Sequence, residues 1–342
     1  MKNLKIGIIG AGSKRYKKVY RSLLNKIGCS LFCWNRSKNK IKDIKDKEVI
    51  IDKIENFYDK DLDIILCFIP DSACYDFIEK LKFKPSQIVL IETPVTDTRW
   101  FSFKKFKIGV LEQWPYLPIE LFKNKIYDSK VISKPYQIIN DGRSFDYHAI
   151  AQMRSFCNKS QPETVTGILT NNLSPGYVDF RGKNQSSPDE WCYGLCKLKN
   201  NVTLVHMFSY NCKLSILKPY QMMRHCSVDG SITSGRNLEM ENDYELYKIT
   251  YLENSIPKSA KVERLSCQEK ISTKKILCKD INVEWKNKFF EFGLTDHETA
   301  IAYMIENASK QNLYDPLDSY IDSLTIHGFK TAAVNNQVIK FS

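Results

Sequence analysis

Gly7-Ile8-Ile9-Gly10-Ala11-Gly12 ends an apolar run on a Gly-x-Gly turn. Beyond it comes a helix-like stretch from Ser13-Lys14-Arg15-Tyr16 to Leu24, with apolar residues at Val19, Leu23 and Leu24. The chemistry such a segment supports is anion binding. Glycine lets the backbone come close to a ligand, and the N–H groups and dipole at a helix start favour negative charge. A buried strand, a glycine turn and a helix N-terminus together cradle a dinucleotide pyrophosphate. The third glycine of the full fingerprint is missing, and Arg15 stands in its place. Gly-x-Gly alone also suits a core turn of some other α/β protein, so its neighbours must decide.

The next apolar run, Ser30-Leu31-Phe32-Cys33-Trp34, ends at Asn35-Arg36-Ser37-Lys38. That end lies about 20 residues beyond the glycines, where a dinucleotide fold meets the adenosine ribose. An NAD site usually places Asp or Glu there to accept from the ribose 2′-hydroxyl. Here Asn35 is followed by Arg36, Ser37, Lys38 and Lys40. A carboxylate would repel a 2′-phosphate, whereas an arginine fork grips one and a serine adds a donor. The residues point to NADP(H) rather than NAD(H). The competing reading is surface cations in a lysine-rich chain.

The elements that position these groups continue the pattern. Val49-Ile50-Ile51 reads as a third strand, Asp63 to Ile69 as a fourth ending in Pro70-Asp71-Ser72, and Gln87 to Ile91 as a fifth ending in Glu92-Thr93-Pro94. Tyr75 to Leu81 is helical between them. Strands alternating with helices imply a doubly wound parallel sheet, with ligands at the carboxyl ends of the strands. The segment from Thr93 to Val110 is short for a complete helix with its connections, so that edge is expected to be trimmed.

With these motifs in order, the chain resembles the glucose–fructose oxidoreductase / inositol dehydrogenase (Gfo/Idh/MocA) family over nearly its whole length. The resemblance rests on Gly7 to Gly12, Ile69-Pro70-Asp71 (family Thr-Pro-Asn), Glu92-Thr93-Pro94 (family Glu-Lys-Pro) and Phe145-Asp146-Tyr147-His148-Ala149-Ile150. The ending, Asp315-Pro316-Leu317-Asp318-Ser319 before a helix to Val334, also has the family's shape. It implies an N-terminal Rossmann domain over 1–115 and a C-terminal α+β domain over 116–342 with a large, mostly antiparallel sheet. Ile69, Pro70, Glu92, Thr93 and Pro94 then border the cofactor. Val110 to Pro118 becomes the last Rossmann strand and the crossover, so Glu112, Gln113 and Trp114 face the nicotinamide cleft. Packing competes for Trp114.

The departures change the expected chemistry. Typical members place a lysine beside the nicotinamide and an Asp four residues before the helix histidine; those positions are Thr93 and Ser144 here, and the usual histidine after Thr-Pro-Asn is Cys74. Oxidising an alcohol needs a base for the departing proton. Thr93 cannot serve at neutral pH. His148 has an intrinsic pKa suited to proton transfer near pH 7, Tyr147 can donate from a neutral phenol, and Asp146 lies beside both. The family includes reductases without the lysine, which suits a reductive direction. For His148 the alternative is a helix-capping or core role, and for Tyr147 it is packing with a wet hydroxyl.

The second half has another rhythm. Thr164 to Leu169, Glu190 to Leu198 and Val202 to Tyr210 run apolar or alternate, Lys199-Asn200-Asn201 is a hairpin turn, and Cys226 to Ile232 suggests another hairpin. Relatives often use one face of this sheet to form oligomers, so a homodimer or homotetramer is expected, with Asn200 to Tyr210 as the place to look. Residues 236–290 suggest solvated strands and a loop. Thr295 and Glu298 read as a capping box, with His297 at the surface. His327 is expected to be structural. Arg224 is a candidate anion contact for substrate.

The 342 residues allow two domains, each with its own core. The formal net charge of +12 comes from basic residues spread along the chain rather than from a stripe, which argues against nucleic acid and for an anionic small molecule. The 11 cysteines are odd in number and lack a Cys-x-x-Cys, so no metal is expected. The start of the chain suggests no signal segment, and no 18-residue apolar run exists, so a cytoplasmic protein without a membrane partner is expected. Three functions fit: an NADP(H)-dependent reductase of a small anionic metabolite with a C=N, conjugated C=C or C=O acceptor and His148 as proton donor; a sugar or nucleotide-sugar dehydrogenase with an unusual base; or a non-catalytic dinucleotide-binding sensor or scaffold.

Overall fold

The computed structural model describes residues 3–42, 48–58, 60–144, 146–172, 177–178, 184–185, 189–209, 220–237, 242–251, 260–268 and 274–341. The chain divides into two compact units, Met1–Leu117 with Lys288–Tyr320, and Pro118–Asn287 with Ile321–Ser342.

The first unit is built on six parallel strands: β1 (Lys5–Ile9), β2 (Ser30–Trp34), β3 (Glu48–Ile50), β4 (Ile64–Cys67), β5 (Ile88–Ile91) and β6 (Lys107–Val110), in the spatial order β3-β2-β1-β4-β5-β6. β4 and β5 are buried along their whole length, as expected of Ile-, Leu- and Val-rich strands covered on both faces. The strand order reverses between β1 and β4, so the turn after β1 opens at the switch point where such sheets bind ligands. The helix after that turn contains a π-helical turn, Tyr16–Tyr20, before α1 (Arg21–Lys26). This wider turn follows directly on Arg15, where the full fingerprint has a glycine for close helix–strand packing. Tyr16 and Tyr20 are both fully buried there, and the Tyr16 hydroxyl donates to Glu48 Oε1 at 3.0 Å.

Helix α2 (Asp71–Ile78) begins four residues before the expected Tyr75, because Pro70 closes the preceding extended stretch and supplies the cap position. Elsewhere the crossovers shrink to 3₁₀ turns at Lys38–Ile41, Ile54–Phe57 and Thr98–Ser102. The last of these replaces a helix in the short segment before β6, and Asp97 caps it by accepting from Arg99 N at 2.9 Å.

The second unit opens with α3 (Pro118–Asp128), β7 (Gln137–Asp141) and α4 (Asp146–Ser155). There follow β8 (Pro162–Asn172), a small ladder of β9 (Tyr177–Val178) and β10 (Asn184–Gln185), then β11 (Asp189–Leu198), β12 (Thr203–Phe208), β13 (Tyr220–Ser227), β14 (Gly230–Asn237), β15 (Asn242–Tyr251) and β16 (Ala260–Gln268). β17 (Lys275–Cys278) and β18 (Val283–Lys286) form a separate hairpin. Nine strands make one sheet in the order β16-β15-β14-β13-β7-β12-β11-β8-β19, β19 being Ile339–Lys340. It is antiparallel except where β7 and β12 run parallel. The two expected hairpins are present, with Asn201 in the left-handed conformation at φ 66° in the first turn. Tyr210 and most of the loop segments expected within 236–290 lie outside the described residues.

A polar cluster is buried inside this unit. Glu120 and Lys123 of α3 are fully buried and pair at 3.1 Å, Lys123 Nζ lies 3.4 Å from His225 Nε2, and the Tyr127 hydroxyl lies 2.9 Å from His225 Nδ1. Burial pushes the His225 pKa well below its ordinary value, and the neighbouring Lys123 adds to that.

The division of the chain differs from a boundary at 115/116. Residues 288–320, expected in the second domain, belong to the first unit. Phe289, Leu294 and, from helix α5 (Asp296–Ser309), Ile301, Met304 and Ile305 join the core formed around β1, β2 and β4. Thr295 and Glu298 form the expected capping box at the start of α5. Helix α6 (Pro316–Asn335) begins in the first unit and ends in the second.

Candidate functional site

In the first unit a cleft of about 460 Å³ opens at the carboxyl ends of β1, β2 and β4, bordered by Gly10, Gly12, Ser13, Arg36, Ser37 and Pro70 among others. Gly10 has φ +80°, and a Cβ there would lie 2.8 Å from the Phe68 carbonyl oxygen. Only glycine fits this turn. Gly12 lies against Asn35, and a Cβ on it would stand 3.0 Å from Asn35 Oδ1. Gly7 plays another part: inside β1, it packs under Leu62 and Phe57 and serves the core.

Asn35 explains the missing carboxylate. Its Oδ1 accepts from Gly12 N at 3.0 Å, and its Nδ2 donates to the Ser37 carbonyl at 2.8 Å. The side chain is 8% exposed and ties the glycine turn to the end of β2. Lys38 is engaged with Asp52 at 2.9 Å, whereas Arg36 is exposed and has no ion-pair partner among the described residues. Lys40 borders the cleft. A turn that only glycine can fill, a helix start beside it, exposed Lys14 and the Arg36–Ser37 pair at the ribose end all fit a dinucleotide.

A second hollow of about 450 Å³ shares Ser13, Phe68, Ile69 and Pro70 with the first and adds Arg15, Asp71, Glu92, Thr93 and Pro94. Arg15 Nε lies 3.0 Å from Glu92 Oε2, and Arg15 Nη2 donates to Gln113 Oε1 at 3.5 Å. The guanidinium lies 5.9 Å from the centre of the Tyr20 ring. Burial pushes the Glu92 carboxyl up to about 7 even with Arg15 beside it. Among the described residues Glu92 Oε1 and Asp71 Oδ1 have no hydrogen-bond partner, while Asp71 Oδ2 accepts from Thr96 N at 3.0 Å.

Glu112, Gln113 and Trp114 are all buried. Glu112 Oε1 accepts from Trp114 N at 3.1 Å, fixing the turn after β6. Gln113 Nε2 lies 3.1 Å from His297 Nε2, and Trp114 meets the same imidazole edge-on. His297, expected at the surface, is half-buried against these two residues. Its position in the first turn of α5 marks it in the sequence; only the fold brings it to Gln113.

In the second unit Asp146, Tyr147 and His148 open α4, while Phe145 lies outside the described residues. His148 is 3% exposed, with its ring centroid 4.2 Å from that of Tyr147. Asp146 has φ +45°, a backbone conformation costly for a non-glycine residue and best tolerated by Asp and Asn. Ser144, where the sequence resemblance implies an Asp, is wired inward: its N donates to Asn140 Oδ1 at 2.9 Å and its Oγ to Gln152 Oε1. Arg224 lies on an exposed face of β13, where its Nε donates to Thr233 Oγ1 at 3.3 Å. Among the described residues no group of three or more His, Cys, Asp or Glu is arranged to hold a metal ion. No helix among them is long and apolar enough to cross a membrane.

The sequence matches no family model and no curated protein. Solved structures do match. Gal80p of Kluyveromyces lactis, a transcriptional regulator, is similar at TM-score 0.67 and 11% identity, over 99% of this chain and 94% of that one. An aldose-aldose oxidoreductase of Caulobacter crescentus is similar at TM-score 0.60 and 10% identity, over 99% and 100%. An oxidoreductase of Agrobacterium radiobacter, solved with NAD+, L-tartaric acid and magnesium, is similar at TM-score 0.59 and 14% identity, over 99% and 98%.

The chain shares the two-unit fold of these oxidoreductase and regulator structures. Within that fold the Rossmann sheet and the large mostly antiparallel sheet are both present. Thr93, where the sequence resemblance implies a lysine, carries no titratable group into the hollow beside Glu92.

Proposed function

We propose that this protein is a nicotinamide-dinucleotide-dependent oxidoreductase that works as an NADP(H)-dependent reductase of a small anionic metabolite. The observation that carries the reading is the cleft at the switch point, where Gly10 has room for no side chain and Arg36, Ser37 and Lys40 replace the usual ribose carboxylate. Asn35 is committed to the backbone on both sides of its amide, so it leaves no anionic acceptor for a 2′-hydroxyl. Arg36 and Ser37 are suited to a 2′-phosphate.

The dinucleotide, when bound, supplies hydride. Ser13, Lys14 and Arg15 lie at the helix start and favour the pyrophosphate. Thr93 offers no base, which favours reduction of an already electrophilic C=N, conjugated C=C or C=O group. His148 is the proton donor in this reading, with the Tyr147 ring tilted against it. The net positive charge draws an anionic acceptor.

Titration with NADPH and NADH, followed by tryptophan quenching and energy transfer to the nicotinamide, tests the cofactor. NADPH binds more tightly, and Arg36→Ala weakens it roughly tenfold to a hundredfold, the loss of a charge-assisted hydrogen bond, with little change for NADH. Binding of neither dinucleotide overturns the reading. Similarity to a transcriptional regulator, with Thr93 and Ser144 in place of Lys and Asp, favours a second reading as a dinucleotide-binding sensor. Tight binding without turnover of any acceptor selects it.

A further inference from the structure

The half of the cleft beyond the glycine turn carries an ion pair that the reading above does not use. We propose that Glu92, released from Arg15 when a dinucleotide binds, discriminates between the oxidised and reduced forms of its nicotinamide through its own charge. This rests on the proposed dinucleotide site.

The geometry gives three reasons. A dinucleotide with its adenosine at Arg36 and its pyrophosphate at the turn points toward the hollow lined by Arg15, Glu92 and Thr93, since the two hollows share Ser13, Phe68, Ile69 and Pro70 as walls. Arg15 sits on the helix start that faces the pyrophosphate, and a phosphate there competes with Glu92 for its guanidinium. Glu92 Oε1 has no hydrogen-bond partner among the described residues, and the side chain is only 15% exposed, so loss of Arg15 leaves a carboxylate with little solvation beyond the Thr93 backbone hydrogen bond.

Such a carboxylate has two ways to be stabilised. Beside the positively charged ring of an oxidised dinucleotide it stays ionised. Beside the neutral ring of a reduced one it takes a proton from solvent. The other groups facing it do not substitute for Arg15. Tyr20 lies beneath it in the π turn, held as a neutral phenol by burial. Asp71 lines the same hollow and the buried Cys74 thiol lies near on α2, but neither brings a positive charge, and the Thr93 backbone hydrogen bond to the carboxyl carries none either. Burial has already brought Glu92 up to about 7, so the change falls in the working range.

Isothermal titration of the full chain with NADPH and with NADP+, each in two buffers of different ionisation enthalpy at pH 7.5, reads the protons directly. NADPH is expected to bind with uptake on the order of half a proton, and NADP+ with markedly less. The preference for NADPH over NADP+ then falls by up to about tenfold per pH unit between the Glu92 pKa in the NADP+ complex and its higher pKa in the NADPH complex. Glu92→Gln, of the same shape, abolishes the difference in proton count while both forms still bind. Equal proton counts for the two redox forms of the wild type, or a difference that survives in Glu92→Gln, overturn the proposal. Failure of both forms to bind overturns the dinucleotide reading itself.

Discussion

Replacing Glu92 by Gln is expected to change how the stability of the first unit depends on pH. The native carboxyl is pushed up from 4.5 to about 7, chiefly by burial. Between those values the folded protein binds more protons than the unfolded chain, so stability from this group falls as pH rises. The contribution is fully present below about pH 4.5 and is lost once pH has passed through about 7. A shift of this size corresponds to roughly 3 kcal/mol, of which about 2.5 kcal/mol falls between pH 5 and pH 8. With 15% of the side chain exposed, solvent screening removes little of that. Urea unfolding at pH 5, 6, 7 and 8, followed by tryptophan fluorescence of both proteins, isolates the effect, because all other titrating groups are shared. The variant should gain about 2 to 3 kcal/mol on the wild type between pH 5 and pH 8. Parallel curves within about 0.5 kcal/mol, or a gain at acid pH instead, would refute the burial argument.

Two further outcomes follow from the second unit. Lys123→Met leaves Glu120 fully buried without its cation and is expected to cost about 3–5 kcal/mol in urea unfolding; a loss below about 1 kcal/mol would mean that the pair is not held as an ion pair. The homodimer or homotetramer that the sequence resemblance implies is testable at the sheet face carrying Ile168 and Leu195, which are 63% and 48% exposed. Ile168→Lys with Leu195→Lys should turn a dimer into a monomer in sedimentation; an unchanged sedimentation coefficient, or a monomeric wild type, would sink that idea.

Much of the first unit was legible because its signals are local. The apolar runs of β1, β2, β4 and β5 have the lengths and β-branched content of buried parallel strands, and the glycine turn falls where the strand order reverses. Thr295 and Glu298 announced their capping box at fixed spacing, since a cap needs partners only three residues apart. The crossovers were harder to foresee. Their short apolar patterns fit either a helix turn or a 3₁₀ turn, and packing selects between them.

What the sequence determined by itself was therefore the strand-turn-helix cradle, the cationic end of β2 and the strand-rich second half, with Thr93 and Ser144 standing where the resemblance implies a lysine and an aspartate. The tertiary structure decided the rest, because each remaining feature depends on residues far apart in the chain. It returned 288–320 to the first unit through α5, and set His297 against Gln113. It used Asn35 to hold Gly12, and brought Arg15 to Glu92 across 77 positions, a pairing no spacing encodes. Burial is a property of the assembled core, so the charge that Glu92 carries could be read only there.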